Sequence, residues 1–368
     1  MGTLDPTRVR WGILGTGHIA RQFALGLHRL PDAELAAVGS RDAERAASFA
    51  AAVGAARAHG GYEALVGDPG VDVVYVATPN SLHHEHCRLA LEAGKAVLCE
   101  KPFATSAAEG REVVALARDK GLFCMEAMWS RFVPLMERAR ALVEEGRIGA
   151  PVAFQADFGI VVPSRENRVF RPELGGGVLL DLGVYLVAMA RVFLGPSRET
   201  LGHVTTGPSG VDEQASLLLR HEGGGQSLLL ASLLSQTPGE ALVLGTRGRL
   251  RLHAPFYRPH RVSLSGFPAT GEGPEPASGD RSTPPARWKE ALRGLYQRYE
   301  AYLSPVVRRP TLDLVAPVEG NGYHYQAAEV VRCLRDGRTE SPRMPLDETI
   351  AVLEVLDAVR RGQAPVGP

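Results

Sequence analysis

A chain of 368 residues is long enough for two domains of ordinary size, each burying its own core. Its 41 Lys+Arg balance 41 Asp+Glu, so no global positive field exists to hold nucleic acid or an anionic membrane, and neither is expected as a partner. With 45% hydrophobic and 22% charged residues the composition is that of a globular chain, whose function must sit in a local site.

Residues 1–10 carry Asp5 and Pro6 and no apolar signal core, so a soluble, cytoplasmic chain is expected. Cys87, Cys99, Cys124 and Cys333 have neither C-x-x-C spacing nor the density of a disulfide scaffold, and are expected as reduced thiols. Val9 to Leu14 predicts a short apolar strand, followed at once by Gly15-Thr16-Gly17-His18-Ile19-Ala20 and an amphipathic helix to Leu30. A strand over 34–39, a helix over 42–53, a strand over 71–77 and a helix over 83–93 are predicted next. A strand over 97–99, a helix over 107–120 and a fifth strand over 123–126 complete the series. Alternation of this kind means an α/β domain with a parallel sheet and crossover helices.

After Trp129 the character changes. A helix over 134–145 precedes strand-like runs at 152–162, 199–206, 214–221, 227–234, 241–244 and 250–252, several joined by Gly-bearing turns at 222–225 and 245–248. These predict antiparallel hairpins and a second domain over 129–368, after a first over 1–128. The most apolar stretch, 178–194, is interrupted by Asp181 and Arg191 and is not expected to span a membrane. A Pro-, Gly- and Ser-rich excursion at 267–285 precedes Trp288, Leu292, Leu295, Tyr299 and Tyr302, whose spacing predicts a helix over 286–303. This insertion, 267–303, either closes a substrate pocket or builds a subunit contact. Two helices, 325–335 and 347–361, end the chain.

Gly15-x-Gly17-x-x-Ala20 is a dinucleotide fingerprint: the first Gly permits a tight turn, and the second lets the backbone approach a pyrophosphate resting on the helix amides. Where an NAD enzyme usually places an acid for the ribose hydroxyls, this chain has Ser40-Arg41-Asp42, with Arg45 one helical turn on. Ser40, Arg41 and Arg45 suit a 2′-phosphate, so NADP is favoured over NAD. Lys101 is one of only four lysines and follows the end of a predicted parallel strand, the edge where open α/β sheets bind ligands. Its ammonium can polarise a carbonyl or exchange a proton with a hydroxyl, and the following Pro102 admits a cis peptide. Asp181 and Tyr185, four apart, are predicted on one face of a helix. A nearby Lys101 is expected to lower the proton affinity of Tyr185, although Tyr185 also reads as a core residue. His83, His84, Glu85 and His86 lack the spacing of a metal site, and no metal is expected; His84 and His86 read as solvated.

Ala77-Thr78-Pro79-Asn80-Ser81-Leu82-His83 and Glu100-Lys101-Pro102, taken with the glycine loop, resemble the glucose-fructose oxidoreductase, inositol dehydrogenase and rhizopine-catabolism (Gfo/Idh/MocA) family. The 126–132, 175–185 and 341–346 blocks are most similar to its dimeric dihydrodiol dehydrogenase and sugar-oxidising branch. The resemblance implies a Rossmann domain, a second α+β domain with an open, mostly antiparallel sheet, and hydride transfer between a nicotinamide and an alcohol or carbonyl carbon of a sugar, polyol or trans-dihydrodiol. It implies cofactor contacts from Gly15, Thr16, Gly17, His18, Ile19, Thr78, Pro79, Asn80 and Glu100, with His83 beside the nicotinamide and substrate. Lys101 and Tyr185 become the acid/base pair, with Asp181 orienting them. Trp129 and Arg131 are expected at the same edge, and Phe158 as an apolar wall, core packing being the alternative for both aromatics. The competing reading is a catalytically silent nucleotide-binding regulator on the same scaffold. Leu228, Leu230 and Leu233 predict an apolar sheet face that is covered in a homodimer or homotetramer.

Overall fold

The computed structural model describes residues 8–266 and 312–362. The first half builds a six-stranded, all-parallel sheet from β1 (Val9–Leu14), β2 (Ala33–Gly39), β3 (Arg57–His59), β4 (Val73–Val76), β5 (Ala96–Glu100) and β6 (Cys124–Ala127). The strand order 3-2-1-4-5-6 is that of a Rossmann fold. Winding reverses between β1 and β4, so the carboxyl ends of these strands open a crevice in which a ligand can sit. Helices α1 (His18–Leu27), α2 (Ala43–Val53), α3 (Tyr62–Val66), α4 (His83–Glu92) and α5 (Ala107–Asp119) cover the sheet. Their starts follow local chemistry: Asp42 accepts from the Arg45 amide at 2.9 Å to cap α2, and Ser106 accepts from the Glu109 amide at 3.3 Å to cap α5.

Sequence periodicity misses β3 and α3. β3 is a three-residue edge strand, Arg57-Ala58-His59, with no apolar run to mark it.

The second half begins with α6 (Pro134–Glu144) and β7 (Pro151–Gly159). A π-helical turn, Leu179–Gly183, leads into α7 (Val184–Leu194). Strands β8 (Ser197–Thr206), β9 (Asp212–His221), β10 (Gln226–Ser232), β11 (Ala241–Gly245), β12 (Gly248–Leu252), β13 (Arg261–Gly266) and β14 (Leu312–Val315) complete an eight-stranded sheet, ordered 14-13-12-11-7-10-9-8. It is mostly antiparallel; β7 and β10 run parallel, a pairing that the hairpin pattern alone does not show. β13 and β14, short and flanking the insertion, are also missed by the periodicity. The predicted helix over 286–303 and the excursion before it lie outside the described residues.

Helix α7 lies on β7 and β10 and is buried nearly all round, which is why 178–194 reads as so apolar. By composition Pro172–Leu194 could cross a membrane, but 94% of its window is buried inside the protein. Of the C-terminal helices, α8 (Tyr323–Arg335) packs on α1 of the first half, and α9 (Leu346–Arg361) bridges the halves, against α5 in the first and α7 and β8 in the second. Arg191 donates both Nε and Nη2 to the Glu348 carboxylate at 2.9 Å, a half-buried fork-to-fork pair that ties α7 to α9. The crevice above β1 and β4 therefore faces α7 across a fixed junction.

Candidate active site

A cavity of about 660 Å³ runs from Arg41 and Arg45 at one end to Tyr185, Tyr257 and Tyr323 at the other. Its middle is the β1–α1 turn. Gly15 has φ +112°, and a Cβ there would lie 2.7 Å from the Ala77 carbonyl oxygen, so only glycine fits. Gly17 caps α1 without any side-chain hydrogen bond, and a Cβ on it would meet nothing within 4 Å. The first amides of α1 thus open onto the cavity over Thr16, His18 and Ile19, leaving the approach that a pyrophosphate needs. Beyond the turn, buried Ser40 and exposed Arg41 and Arg45 supply a hydroxyl and two guanidinium groups. Tyr62 faces them at the start of α3, its ring edge-on to His86 at 4.5 Å. Donors for a diphosphate at the turn and cations at the ribose end fit a nicotinamide dinucleotide.

At the other end, β5 delivers Glu100 and then Lys101, whose bond to Pro102 is cis. Lys101 Nζ donates to the Asp181 carbonyl at 2.9 Å and to Asp181 Oδ1 at 3.2 Å. Arg168 Nη2 donates to the same Oδ1 at 2.8 Å. Burial pushes the Asp181 carboxyl up, but the two cations outweigh it and hold the group at about 2. The turn carrying Lys101 is braced from behind by two buried carboxylates. Glu100 accepts a short hydrogen bond from the Tyr75 hydroxyl, and its Oε2 takes the Lys101 amide at 3.2 Å. Glu126 accepts the Phe103 amide at 3.1 Å and the Thr349 hydroxyl at 3.0 Å, and burial pushes it up to about 7.

Asn80 and His83 close the near side. Asn80 Nδ2 donates to the Gly175 carbonyl at 2.9 Å, tying the Thr78-Pro79-Asn80 loop to the second half. The ring of His83 lies between the carbonyls of Pro102, 2.7 Å from Nδ1, and Thr78, 2.9 Å from Nε2. Two acceptors favour the doubly protonated ring, yet full burial dominates and brings it down to about 4, so it stays neutral and donates to one of them.

The remaining wall is aromatic. Trp129 Nε1 donates to the Tyr185 hydroxyl at 2.9 Å and its ring stacks on Tyr323 at 4.9 Å. Phe158 stacks on Tyr257 at 4.7 Å, and both lie 5.7 Å from the Tyr185 ring. Lys101 Nζ sits 4.8 Å from the centroid of Tyr185.

The profile of the GFO/IDH/MocA oxidoreductases, with an NAD-binding Rossmann fold, matches residues 9–128, and that of the GFO/IDH/MocA C-terminal domain matches 136–251. The chain belongs to this oxidoreductase family. Among GFO/IDH/MocA relatives, trans-1,2-dihydrobenzene-1,2-diol dehydrogenase of Mus musculus is 35% identical over 359 residues, covering 96% of each chain. The enzyme of the same name from Xenopus tropicalis is 32% identical over 356 residues, covering 95% of this chain and 96% of its own. A 3-ketoreductase from Actinomadura kijaniata, solved in complex with NADP and TDP-benzene, superposes with a TM-score of 0.77 at 26% identity, covering 96% of this chain and 98% of that one.

In this GFO/IDH/MocA chain the cavity gathers Gly15, Thr16, Gly17, His18, Ile19, Ser40, Arg41, Arg45, Thr78, Pro79, Asn80, His83, Glu100, Lys101, Trp129, Asp181 and Tyr185. Arg131 is not among them. It turns inward beneath the site, where its Nη1 lies 3.1 Å from Met344 Sδ, so it packs the C-terminal turn and does not line the cavity. Three further expectations are corrected. Asp181 and Tyr185 do not share an α-helical face, because Asp181 sits in the π turn before α7; the wider turn still brings both to the cavity. Tyr185 is not lowered by Lys101: burial first, then the Glu100 carboxylate, raise it well above the ordinary phenol range. His86 is buried and lies 2.9 Å from the Thr78 hydroxyl, because α4 turns it toward the sheet. Sequence reasoning missed Tyr62, Arg168, Leu182, Tyr257 and Tyr323, which also line the cavity. Tyr62 and Tyr323 each follow a glycine at a helix start, the one local signal available.

Proposed function

We propose that the chain is an NADP-dependent dehydrogenase or reductase of a small sugar, polyol or trans-dihydrodiol. The observation that carries this reading is the cavity's polarity. Ser40, Arg41 and Arg45 stand at one end, and the Lys101 ammonium and Tyr185 hydroxyl, enclosed by aromatic rings, stand at the other. A bound nicotinamide supplies or takes hydride at the reacting carbon. The chain's own residues then have two tasks, to move a proton at the reacting oxygen and to hold the substrate. Lys101, fixed at two points on Asp181, presents an ammonium to that oxygen. Tyr185, kept protonated by burial, offers a hydroxyl hydrogen. The rings of Phe158, Tyr257 and Tyr323 suit the apolar C–H face of a sugar or the ring of a dihydrodiol. The mouse relative's name specifies a dihydrodiol and the Actinomadura kijaniata structure holds NADP, both in keeping with this reading.

The test is nicotinamide absorbance with a panel of aldoses, polyols, dihydrodiols and diketones, with NADP and NAD in parallel. Turnover of one class supports the reading. NADP binding without turnover of any favours a nucleotide-binding regulator instead. Arg41→Ala is expected to weaken NADP roughly 10- to 100-fold and NAD little, since a charge-assisted bond to the extra phosphate is lost. Equal losses for both in titration calorimetry overturn the NADP assignment.

We also propose that the chain works as a homodimer or homotetramer, joined through the second sheet. Leu201, Leu218 and Leu228 pair across β8, β9 and β10 and are 60%, 40% and 52% exposed, with Leu230 at 44% beside them. Such a row calls for cover by a second copy. Leu233, expected in this patch, is instead wholly buried. Sedimentation at micromolar concentration should give at least two chains; Leu218→Lys with Leu228→Lys should give one. A wild-type mass of one chain contradicts the proposal.

A further inference from the structure

We propose that Trp129 is a positioning residue that sets the direction of the Tyr185 hydroxyl proton, so that Tyr185 acts as a donor toward a substrate oxygen. The inference rests on the reading of Tyr185 given above. An indole N–H can only donate. At 2.9 Å it therefore occupies a lone pair of the Tyr185 oxygen, and the phenolic hydrogen must point elsewhere. Among the described residues nothing accepts that hydrogen, although the hydroxyl belongs to a buried side chain lining the cavity. A hydrogen directed into the cavity is available to a carbonyl oxygen bound there.

The indole is itself held in place. Its ring stacks on Tyr323 with planes 15° apart and meets the edge of Tyr257 at 6.0 Å. Gly322, at φ +86°, leaves it room: a Cβ there would lie 3.2 Å from Trp129 Cζ3. The bond can therefore be kept while Tyr185 changes charge. Proton donation breaks the Tyr185 O–H bond and forms one on the substrate oxygen as the attached carbon is reduced by the bound nicotinamide. The electron pair left on Tyr185 is stabilised by the Trp129 N–H and by Lys101 over the ring, and a proton from solvent restores the phenol.

Two measurements test this. The chain has only three tryptophans, Trp11, Trp129 and Trp288, so indole ¹⁵N–¹H spectra of the substrate-free protein are readily assigned. Tyr185→Phe should move the Trp129 indole proton upfield and leave Trp11 in place; an unmoved signal means the bond is not formed and overturns the proposal. In kinetics, Trp129→Phe keeps a ring against Tyr323 and removes the donor. It should lower kcat roughly tenfold with little change in KM, and should add no further loss in the Tyr185→Phe background. Equal losses in both backgrounds mean that Trp129 acts by touching substrate and overturn the proposal. Full activity of Tyr185→Phe with a shifted indole signal removes Tyr185 as donor, and the proposal falls with it. If the panel holds no substrate, the functional reading fails separately and the indole spectrum still decides whether the bond forms.

Discussion

Replacing Lys101 with Met is expected to lower kcat by about 10²- to 10⁴-fold while NADPH affinity stays within a few-fold. Met keeps most of the stem volume and removes the ammonium. On the proposed reading the phosphates rest elsewhere, on the Gly15–Ile19 turn and Arg41 at the far part of the cavity, and the substitution leaves those residues untouched. The turn itself should survive, because it is braced through backbone amides: Lys101 N on Glu100 and Phe103 N on Glu126. Asp181 also keeps a partner, since Arg168 remains 2.8 Å from its Oδ1. Initial rates with the best substrate and a fluorescence titration with NADPH separate the two effects. A variant retaining kcat within tenfold of wild type shows that Tyr185 moves the proton without Lys101. A variant that loses NADPH binding as well shows that Lys101 anchors the cofactor instead.

The parts legible in the sequence are those whose signal is local. β1, Gly15 and Gly17 announce the dinucleotide turn within ten residues of each other because tight turns restrict residue type. Glu100-Lys101-Pro102 is legible because a polar cluster directly after an apolar strand must lie at the strand's carboxyl edge. The parts that were not legible depend on long-range packing. Arg168, Tyr257 and Tyr323 come from three separate segments of the second half and meet only around the cavity that also holds Lys101. Lys101 is the one neighbour of Tyr185 legible in the sequence, whereas burial and the Glu100 carboxylate decide the proton affinity of its hydroxyl. Arg131 shared a motif with Trp129, but the 3₁₀ turn over Trp129–Phe132 sends the two side chains to opposite sides.

Asp181→Asn should destabilise the protein by about 3 kcal/mol at neutral pH, the lower end for breaking a buried ion pair. Asparagine keeps the shape and an acceptor oxygen but removes the carboxylate that pairs with Lys101, which is 13% exposed; Arg168, 47% exposed, can turn to water, which limits the loss. The penalty must depend on pH, and its sign is fixed by the carboxyl's position. Asp181 is held at about 2 in the folded chain, against about 3.9 when unfolded. A lowered folded-state affinity contributes stability that is complete above the unfolded value and is lost as pH falls through the folded one. Wild type should therefore lose about 2–3 kcal/mol of its advantage over the variant between pH 5 and pH 2, and the two stability curves should converge there. Urea midpoints for both proteins across that range measure the difference directly. A gap that stays constant with pH means that Asp181 is not ionised against Lys101 and Arg168. The Lys101 ammonium would then have been held by the Asp181 carbonyl alone, and activity in Asp181→Asn should match wild type.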